Sequence, residues 1–419
     1  MKKRMMGRRM GALFVAGVLF SLSALVEPAF ASDSQEPQVV IGGSFSIEYN
    51  SIAQMVEQNL DVQKAKTTVS STFAVEHDYY KKLADAEKAF SDAEQSYREN
   101  KDKLYEQMEA SIAGGAEESD ARAAYDEQVA SLDEGWNTQA ESLRDNITTI
   151  RRGINTLQYS KQSASLAVVS TKQGQISNAQ EAFLNYYSLT AKKAAAENKL
   201  SNLKWQISMA KVKLERKIIS QLTYDTLVDS VPEVKLAVEN YDTTIKQNEL
   251  QLKSFLGLSA STPIKYGTLP DMKLIDEIPK RSAEADRSVY LGRSSVIEDA
   301  RIGIGKAQSE VDSEKSDSYF GVNTATISYE QAVETATKDF EKAYGNLQDS
   351  YKAYKNAIKA HNVLEGEYTR LNKKYKNGQA SKNTLRSKKD EIKQSEHNLK
   401  AQKIELYALY QNYVNGLTL

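Results

Sequence analysis

Two long stretches near the C-terminus carry apolar residues in heptad patterns, and one polar decapeptide separates them. Leu347, Tyr351, Tyr354, Ile358, Leu364, Tyr368, Leu371 and Tyr375 form the first stripe, with one beat skipped near His361. Leu385, Ile392, Leu399, Leu406 and Tyr413 form the second, at intervals of seven. Such spacing lines one side of a helix. The break, Tyr375 to Thr384, reads Tyr-Lys-Asn-Gly-Gln-Ala-Ser-Lys-Asn-Thr. Asn-Gly favours the left-handed conformation that ends a helix. Ser381 can accept from the exposed N–H groups that open the next one. The stretch is therefore expected as the tip of an antiparallel helical hairpin. Taken alone, an ordinary helix–helix turn would read the same way.

The tip has a counterpart. Residues 215–258 read Glu-Arg-Lys-Ile-Ile-Ser at a turn and Lys-Ser-Phe-Leu-Gly-Leu at their end. Residues 376–417 read Lys-Asn-Gly-Gln-Ala-Ser and Asn-Tyr-Val-Asn-Gly-Leu. The openings rhyme too. Ser46-Ile-Glu-Tyr-Asn-Ser leads into Asn59-Leu-Asp-Val-Gln-Lys-Ala65, and Tyr290-Leu-Gly-Arg-Ser-Ser leads into Val296-Ile-Glu-Asp-Ala300. Two diverged copies of one helical unit are expected, the first helix beginning near Ser46 to Ser51.

The first 31 residues read as a cleaved signal peptide. Lys2, Lys3, Arg4, Arg8 and Arg9 form a basic start, Gly11 to Leu25 an apolar run, and Ala29-Phe30-Ala31 a small-x-small cleavage site. No later segment reaches 18 apolar residues, so no transmembrane helix is expected in the mature chain. A polar leader, 32–45, follows, with a short extended piece at Val39-Val40-Ile41. Cysteine is absent, which leaves packing to stabilise an exported chain. Formal net charge is −1, and the signal accounts for +4, so the mature chain carries −5. That evenly mixed balance argues against a nucleic-acid surface. A mean hydropathy of −0.56 fits long amphipathic helices better than one thick core.

Between Tyr79 and Ile112 the heptad is clear, and Gly114-Gly115 breaks it. A second arm carries Tyr125, Val129, Leu132, Trp136, Leu143, Ile147, Ile150, Ile154 and Leu157. The two arms, 79–157, are expected to zip into a coiled-coil hairpin with arms of ~35 residues, roughly 50 Å long. Gln173-Gly-Gln-Ile-Ser177 looks like another tip but is discounted, because the helix beyond it runs directly to Ile219. At Pro232 either Ser230 caps a new helix or the helix kinks. Three of the six prolines fall in 259–293, where the heptad stops, and mark the connection between the halves. The second copy, 294–419, is expected to pause at Asp317 to Tyr329.

No catalytic, cofactor-binding or metal-binding residues are expected. His77, His361 and His397 are isolated, and His361 reads as a packed residue. No Gly-rich phosphate loop, Gly-x-Ser-x-Gly or metal-spaced pair occurs. Acidic runs such as Glu117-Glu118-Ser-Asp120, and Arg386 with Lys388-Lys389, read as solvated helix faces. The 23 tyrosines lie largely on the stripes.

With two helical repeats, Gly-x-x-Ser tips, Leu-Gly-Leu ends and an opening Asn-Leu-Asp-Val-Gln-Lys-Ala, the chain resembles the TolC family of outer-membrane efflux proteins over roughly 46–66, 180–258 and 290–417. The resemblance implies a homotrimer that closes a helical conduit, with hairpin tips that meet a periplasmic adaptor, also called a membrane fusion protein. It carries the contact role to Asn377, Gly378, Gln379, Ala380 and Ser381 at one tip and to Lys217, Ile218, Ile219 and Ser220 at the other. Lys217 stands where the family prefers Gly, so the first tip is expected to turn differently. Thr223 and Thr384 stand where an acidic residue is frequent, so no acidic gate ring carries over. The family also inserts two strands per repeat into the outer membrane, and each spanning strand needs ~9–11 residues. Thirteen residues at 317–329 cannot supply two, and the first repeat offers the 79–157 hairpin instead. A barrel-less relative is implied, suited to an envelope without a standard outer membrane.

The expectation is thus an all-α chain of long antiparallel hairpins with little or no β structure. Two readings of function follow: an exported, adaptor-docking conduit component of an efflux or secretion system, or a coiled-coil cell-envelope protein that braces layers without transport. An enzyme is not expected.

Overall fold

The computed structural model describes residues 45–311 and 319–418. The expected signal, most of the leader with its extended piece, and the start of the expected pause lie outside them. Nine α-helices follow one another among the described residues: α1 (Ile52–Met55), α2 (Leu60–Ala113), α3 (Glu118–Glu215), α4 (Gln221–Asp229), α5 (Val231–Phe255), α6 (Ala283–Arg293), α7 (Ser295–Ser309), α8 (Tyr319–Lys376) and α9 (Lys382–Thr418). Two three-residue strands, β1 (Phe45–Ile47) and β2 (Ile264–Tyr266), are the β structure there. The expected all-α class holds.

The helix lengths form two unequal sets. Helices α3 and α8 both run to a tip and return, through α4–α5 and through α9. α2 has 54 residues against 15 in α7, and α3 has 98 against 58 in α8. The earlier helix of each pair is the longer, by nearly the same amount in both. At 1.5 Å per residue, α3 is about 150 Å long.

Helix α3 is the common neighbour. Toward the hairpin at 114–117 it packs on α2, where Glu76 takes Lys161 at 3.0 Å and Tyr97 and Phe90 flank Trp136. Toward the tips it lies between α5 and α9. Asn248 of α5 donates to the Ala182 carbonyl at 2.8 Å and accepts from Asn185 at 2.9 Å. On the other side Ser188 donates to Glu405 of α9 at 2.7 Å. Helix α9 then packs on α8, with His361 beside Ser395 at 3.1 Å and Lys388 on Glu367 at 3.0 Å. The residue pairings make each neighbour antiparallel, which gives a row ordered α5, α3, α9, α8.

The core sits where this row meets the connection. Ile47, Ile52, Val56 and Val62 are fully buried with Phe183 and Leu184 of α3, Leu252 and Leu256 of the α5 end, Ile278, and Ile404 of α9. Asn59 holds this region together. Its Oδ1 accepts from the N–H groups of Asp61 and Val62, capping α2, while its Nδ2 donates to the carbonyls of Ser254 and Phe255, which end α5. One side chain therefore satisfies the orphan groups of two helix ends. Gly257 makes the approach possible. Its φ is +69°, and a β-carbon there would lie 2.6 Å from the Gln58 carbonyl oxygen.

Five details depart from the sequence reading. The first helical turns, Tyr49–Ser51 and Ile52–Met55, come at the end of the expected 46–51 stretch, but Ser46 itself lies in β1 and the helix does not run on unbroken: α2 begins at Leu60. β1 pairs in parallel with β2, Phe45 opposite Ile264 and Ile47 opposite Tyr266, so the connection contributes structure to the core. It also holds a 3₁₀ segment, Met272–Lys280, and α6. The expected pause at 317–329 is helical from Tyr319 onward. Gly416, read as a helix end, lies inside α9, with the Tyr290 ring 3.1 Å from where its β-carbon would be. At Pro232 the chain breaks rather than kinks: α4 ends, Pro232 sits in the first turn of α5, and the Ser230 hydroxyl donates back to Leu227 instead of capping.

Candidate partner-docking tips

Both tips are built by the same sequence of backbone hydrogen bonds. At the first, Arg216 N–H donates to Val212, Lys217 N–H to Leu214 and Ile218 N–H to Lys213. At the second, Asn377 donates to Lys373, Gly378 to Tyr375 and Gln379 to Lys374. The nested pair, five residues back and three residues back, is the Schellman ending. Its central residue must be left-handed, and both are: Lys217 at φ 58° and Gly378 at φ 71°. The expectation that Lys217 changes the turn is therefore corrected. The lysine accepts the strained conformation and the turn keeps its form.

The return helices are capped alike. Ser220 Oγ accepts from the Thr223 N–H at 3.2 Å, and Ser381 Oγ from the Thr384 N–H at 3.1 Å. In each case the Thr hydroxyl also lies within 2.9 Å of the Ser hydroxyl. This is the Ser half of a capping box: the Ser hydroxyl caps the N–H three positions on, and the Thr side chain meets that hydroxyl rather than the backbone N–H of the cap residue. The threonines that sequence comparison read as missing acids thus have a local role. Their signal was present as Ser-x-x-Thr in both copies.

The tips lie side by side. Asn383 approaches Met209 Sδ at 3.9 Å, the Arg386 guanidinium sits 4.6 Å from the centre of the Trp205 ring, and Asn198 donates to the Asp390 carbonyl at 2.9 Å. All nine candidate residues therefore belong to one end of the row. Ile219 and Ala380 are half-buried and the other seven are exposed. A β-carbon on Gly378 would meet nothing within 4 Å.

The two tips differ in polarity. Ile218 and Leu222 are 65% and 77% exposed, where the second tip places Gln379 and Asn383. Leu222 was not among the expected residues, because by periodicity it reads as one more apolar helix position. Basic residues crowd the same end. Hydrogen bonds that Lys388 donates to Glu391 and then Glu367 hold its ammonium above its ordinary range. Among the described residues, no three or more His, Cys, Asp or Glu side chains group as metal ligands, and no helix is long and apolar enough to cross a membrane.

No protein-family model and no curated protein matches the sequence. Solved structures resemble it in part. The outer membrane protein VceC from Vibrio cholerae matches at 12% identity and a TM-score of 0.43, over 64% of this chain and 75% of that one. A membrane protein from Pseudomonas aeruginosa matches at 12% and 0.40, over 64% and 72%. The open-state MtrE outer membrane channel from Neisseria gonorrhoeae matches at 12% and 0.38, over 64% and 71%.

Proposed function

We propose that the chain is an exported, TolC-like conduit component of an efflux or secretion system, and that its paired tips dock the helical hairpin of a membrane-held adaptor. The duplicated tip supports this best: two turns of one form, side by side at one end, with their central residues open to solvent. In this reading the extra length of α2 and α3, residues 79–157, is an insertion in the first of two repeats. It occupies the place where family members form membrane strands.

Closure into a conduit requires more than one copy. α5 and α8 end the row, and each leaves apolar residues uncovered: Leu236 and Leu250 on α5, Val363 on α8. Joining the α8 edge of one copy to the α5 edge of the next would cover them, and a trimer is the closed form proposed. Sedimentation at micromolar concentration should show it; a stable monomer would favour the bracing role instead. Docking is tested with Gly378→Glu combined with Ala380→Arg, in cells that hold the cognate export system. Helicity and oligomeric state should persist, while co-purification of the adaptor and export are lost. The control is the same pair of charges at Gly114 and Gly115. If the control loses adaptor binding and the tip variant keeps it, the tips are not the docking end.

A further inference from the structure

The charges are segregated along the molecule. Residues 211–230 and 370–389, which form the paired tips, hold twelve Lys and Arg and three acids, Glu215, Asp225 and Asp229. Residues 106–127, around the Gly114-Gly115 turn, hold seven acids and one cation, Arg122. The single helix α3 separates the two ends. Of the twelve tip cations, Lys388 and Arg386 have carboxylate partners within 4.0 Å, and the other ten have none among the described residues. All ten are exposed.

Helix stability does not account for this. Cations favour a helix C-terminus, so Lys373, Lys374 and Lys376 at the end of α8 are well placed. They disfavour an N-terminus, yet Lys382 opens α9, with Arg386, Lys388 and Lys389 within its first two turns. Neither α4 nor α9 has an acid in its first turn. The basic excess persists where the helices themselves would select against it.

The chemistry of the cations narrows the partner. Eight of the ten unpaired ones are Lys. Arginine is the residue that fits carboxylates in fixed two-point geometry and is enriched at protein interfaces, while lysine is depleted there. Mobile lysines on an exposed turn suit a diffuse anionic surface. Ile218 and Leu222, both largely exposed, sit among Lys213, Arg216 and Lys217. Apolar side chains ringed by cations are the composition that seats a surface segment at a lipid headgroup boundary.

We infer that the tip end binds the surface of an anionic phospholipid membrane, with lysines of both tips over the headgroups and Ile218 and Leu222 entering the boundary. The inference goes beyond adaptor docking and stands whether or not an adaptor binds; a membrane and an adaptor anchored in it would lie on the same side of the molecule.

The test is co-sedimentation of the full chain with vesicles of equal parts phosphatidylglycerol and phosphatidylcholine, and with vesicles of phosphatidylcholine alone. Binding to the anionic vesicles is expected at low salt and should largely vanish at about 0.5 M salt, where screening is nearly complete. Lys373→Gln with Lys374→Gln and Lys376→Gln should lower affinity about 100-fold at unchanged helicity, since each cation near an anionic surface contributes roughly a factor of five. Ile218→Asn with Leu222→Asn should weaken the salt-resistant remainder. Glu117→Gln with Glu118→Gln, at the acidic end, should change nothing. Equal binding to both vesicles, or a triple variant that binds like the parent, overturns the inference. So does displacement by inorganic phosphate beyond that by chloride of equal ionic strength, which means a discrete phosphate site. Capture of soluble polyglutamate in preference to vesicles also overturns it and points to an acidic protein.

Discussion

Lys217 holds the left-handed conformation that Gly378 holds at the equivalent step of the second tip, with φ of 58° and 71°. A β-carbon in that region is disfavoured by roughly 1–2 kcal/mol, part of which glycine's greater freedom in the unfolded chain offsets. Lys217→Gly should therefore stabilise the chain by about 0.5–1 kcal/mol, and Gly378→Ala should destabilise it by a similar amount. Urea titration of both variants checks the pair. A Lys217→Gly variant weaker than the parent would mean that the lysine side chain holds the turn through some contact of its own.

That each tip has a counterpart was legible in the sequence from the spacing of Gly-x-x-Ser and Lys-x-x-Ser; that both turns take one form was not, because a lysine at a left-handed position gives no local signal for it. The break at Gly114-Gly115, where Gly115 stands at φ 94°, was also legible, and so was the continuity of α3 past Gly174. What failed to show has physical reasons. β1 and β2 have three residues each, too few for any period to register, and their pairing spans more than two hundred residues. The start of α8 has no heptad, yet Thr324, Thr326 and Ser328 donate their hydroxyls to carbonyls four residues back. Those polar side chains are satisfied by the helix itself, which a search for apolar stripes does not detect. Leu222 has a helical spacing like any core leucine; only the ending of α3 puts it outside.

Asn59 serves two helix ends, and two substitutions separate its roles. Asn59→Asp keeps the oxygen that caps α2 and removes the donor that reaches Ser254 and Phe255. Asn59→Ala removes both. The residue is buried, so each orphaned group carries a desolvation penalty of about 1–3 kcal/mol. Both variants should lose stability by thermal or urea unfolding, Asn59→Asp also because it sets a carboxylate oxygen against the Ser254 and Phe255 carbonyls. Two variants as stable as the parent would mean that water replaces Asn59 at both helix ends.

Alkaline conditions should unfold the chain through its buried tyrosines. Burial, and then the nearby Tyr407, push the Tyr49 hydroxyl well above its ordinary range. Burial, and then the hydrogen bond to Asp286, do the same for Tyr413. A folded pKa above the unfolded value of about 10 means that the native state holds the proton longer. Their contribution is complete below pH ~10 and is lost as pH rises beyond it. Melting temperature should fall above that pH. Tyr49→Phe should soften the fall and, because the Tyr49 hydroxyl has no hydrogen-bond partner among the described residues, leave neutral stability unchanged or raised by about 1 kcal/mol. A neutral loss above that size would show that the hydroxyl is bonded, through water or otherwise.

The hairpin arms should melt without the tips. Beyond α7 the arms of α2 and α3 pack chiefly on each other, and their thickest contact is Trp136, stacked on Tyr97 at 5.1 Å and tilted against Phe90 at 5.8 Å. Tyr97 also donates to Asp133 at 2.6 Å, and Lys101 takes the same carboxylate at 3.2 Å. These bonds hold the Asp133 carboxyl below its ordinary range, Tyr97 first and Lys101 second. Trp136→Ala removes the ring that both aromatics touch and should destabilise the arms by about 2–3 kcal/mol, somewhat less than for a fully enclosed ring. The core around Phe183, Leu252 and Ile404 lies far along α3 and shares no contact with Trp136, so its opening free energy should not change. Hydrogen exchange resolved by residue distinguishes the two. Amides of 90–104 and 128–140 should exchange faster in Trp136→Ala while those of 180–190 and 400–410 keep the parent rate. Faster exchange in both regions would mean that the hairpin and the core unfold as one unit, and that the extra length of α2 and α3 is not an addition the rest of the chain can fold without.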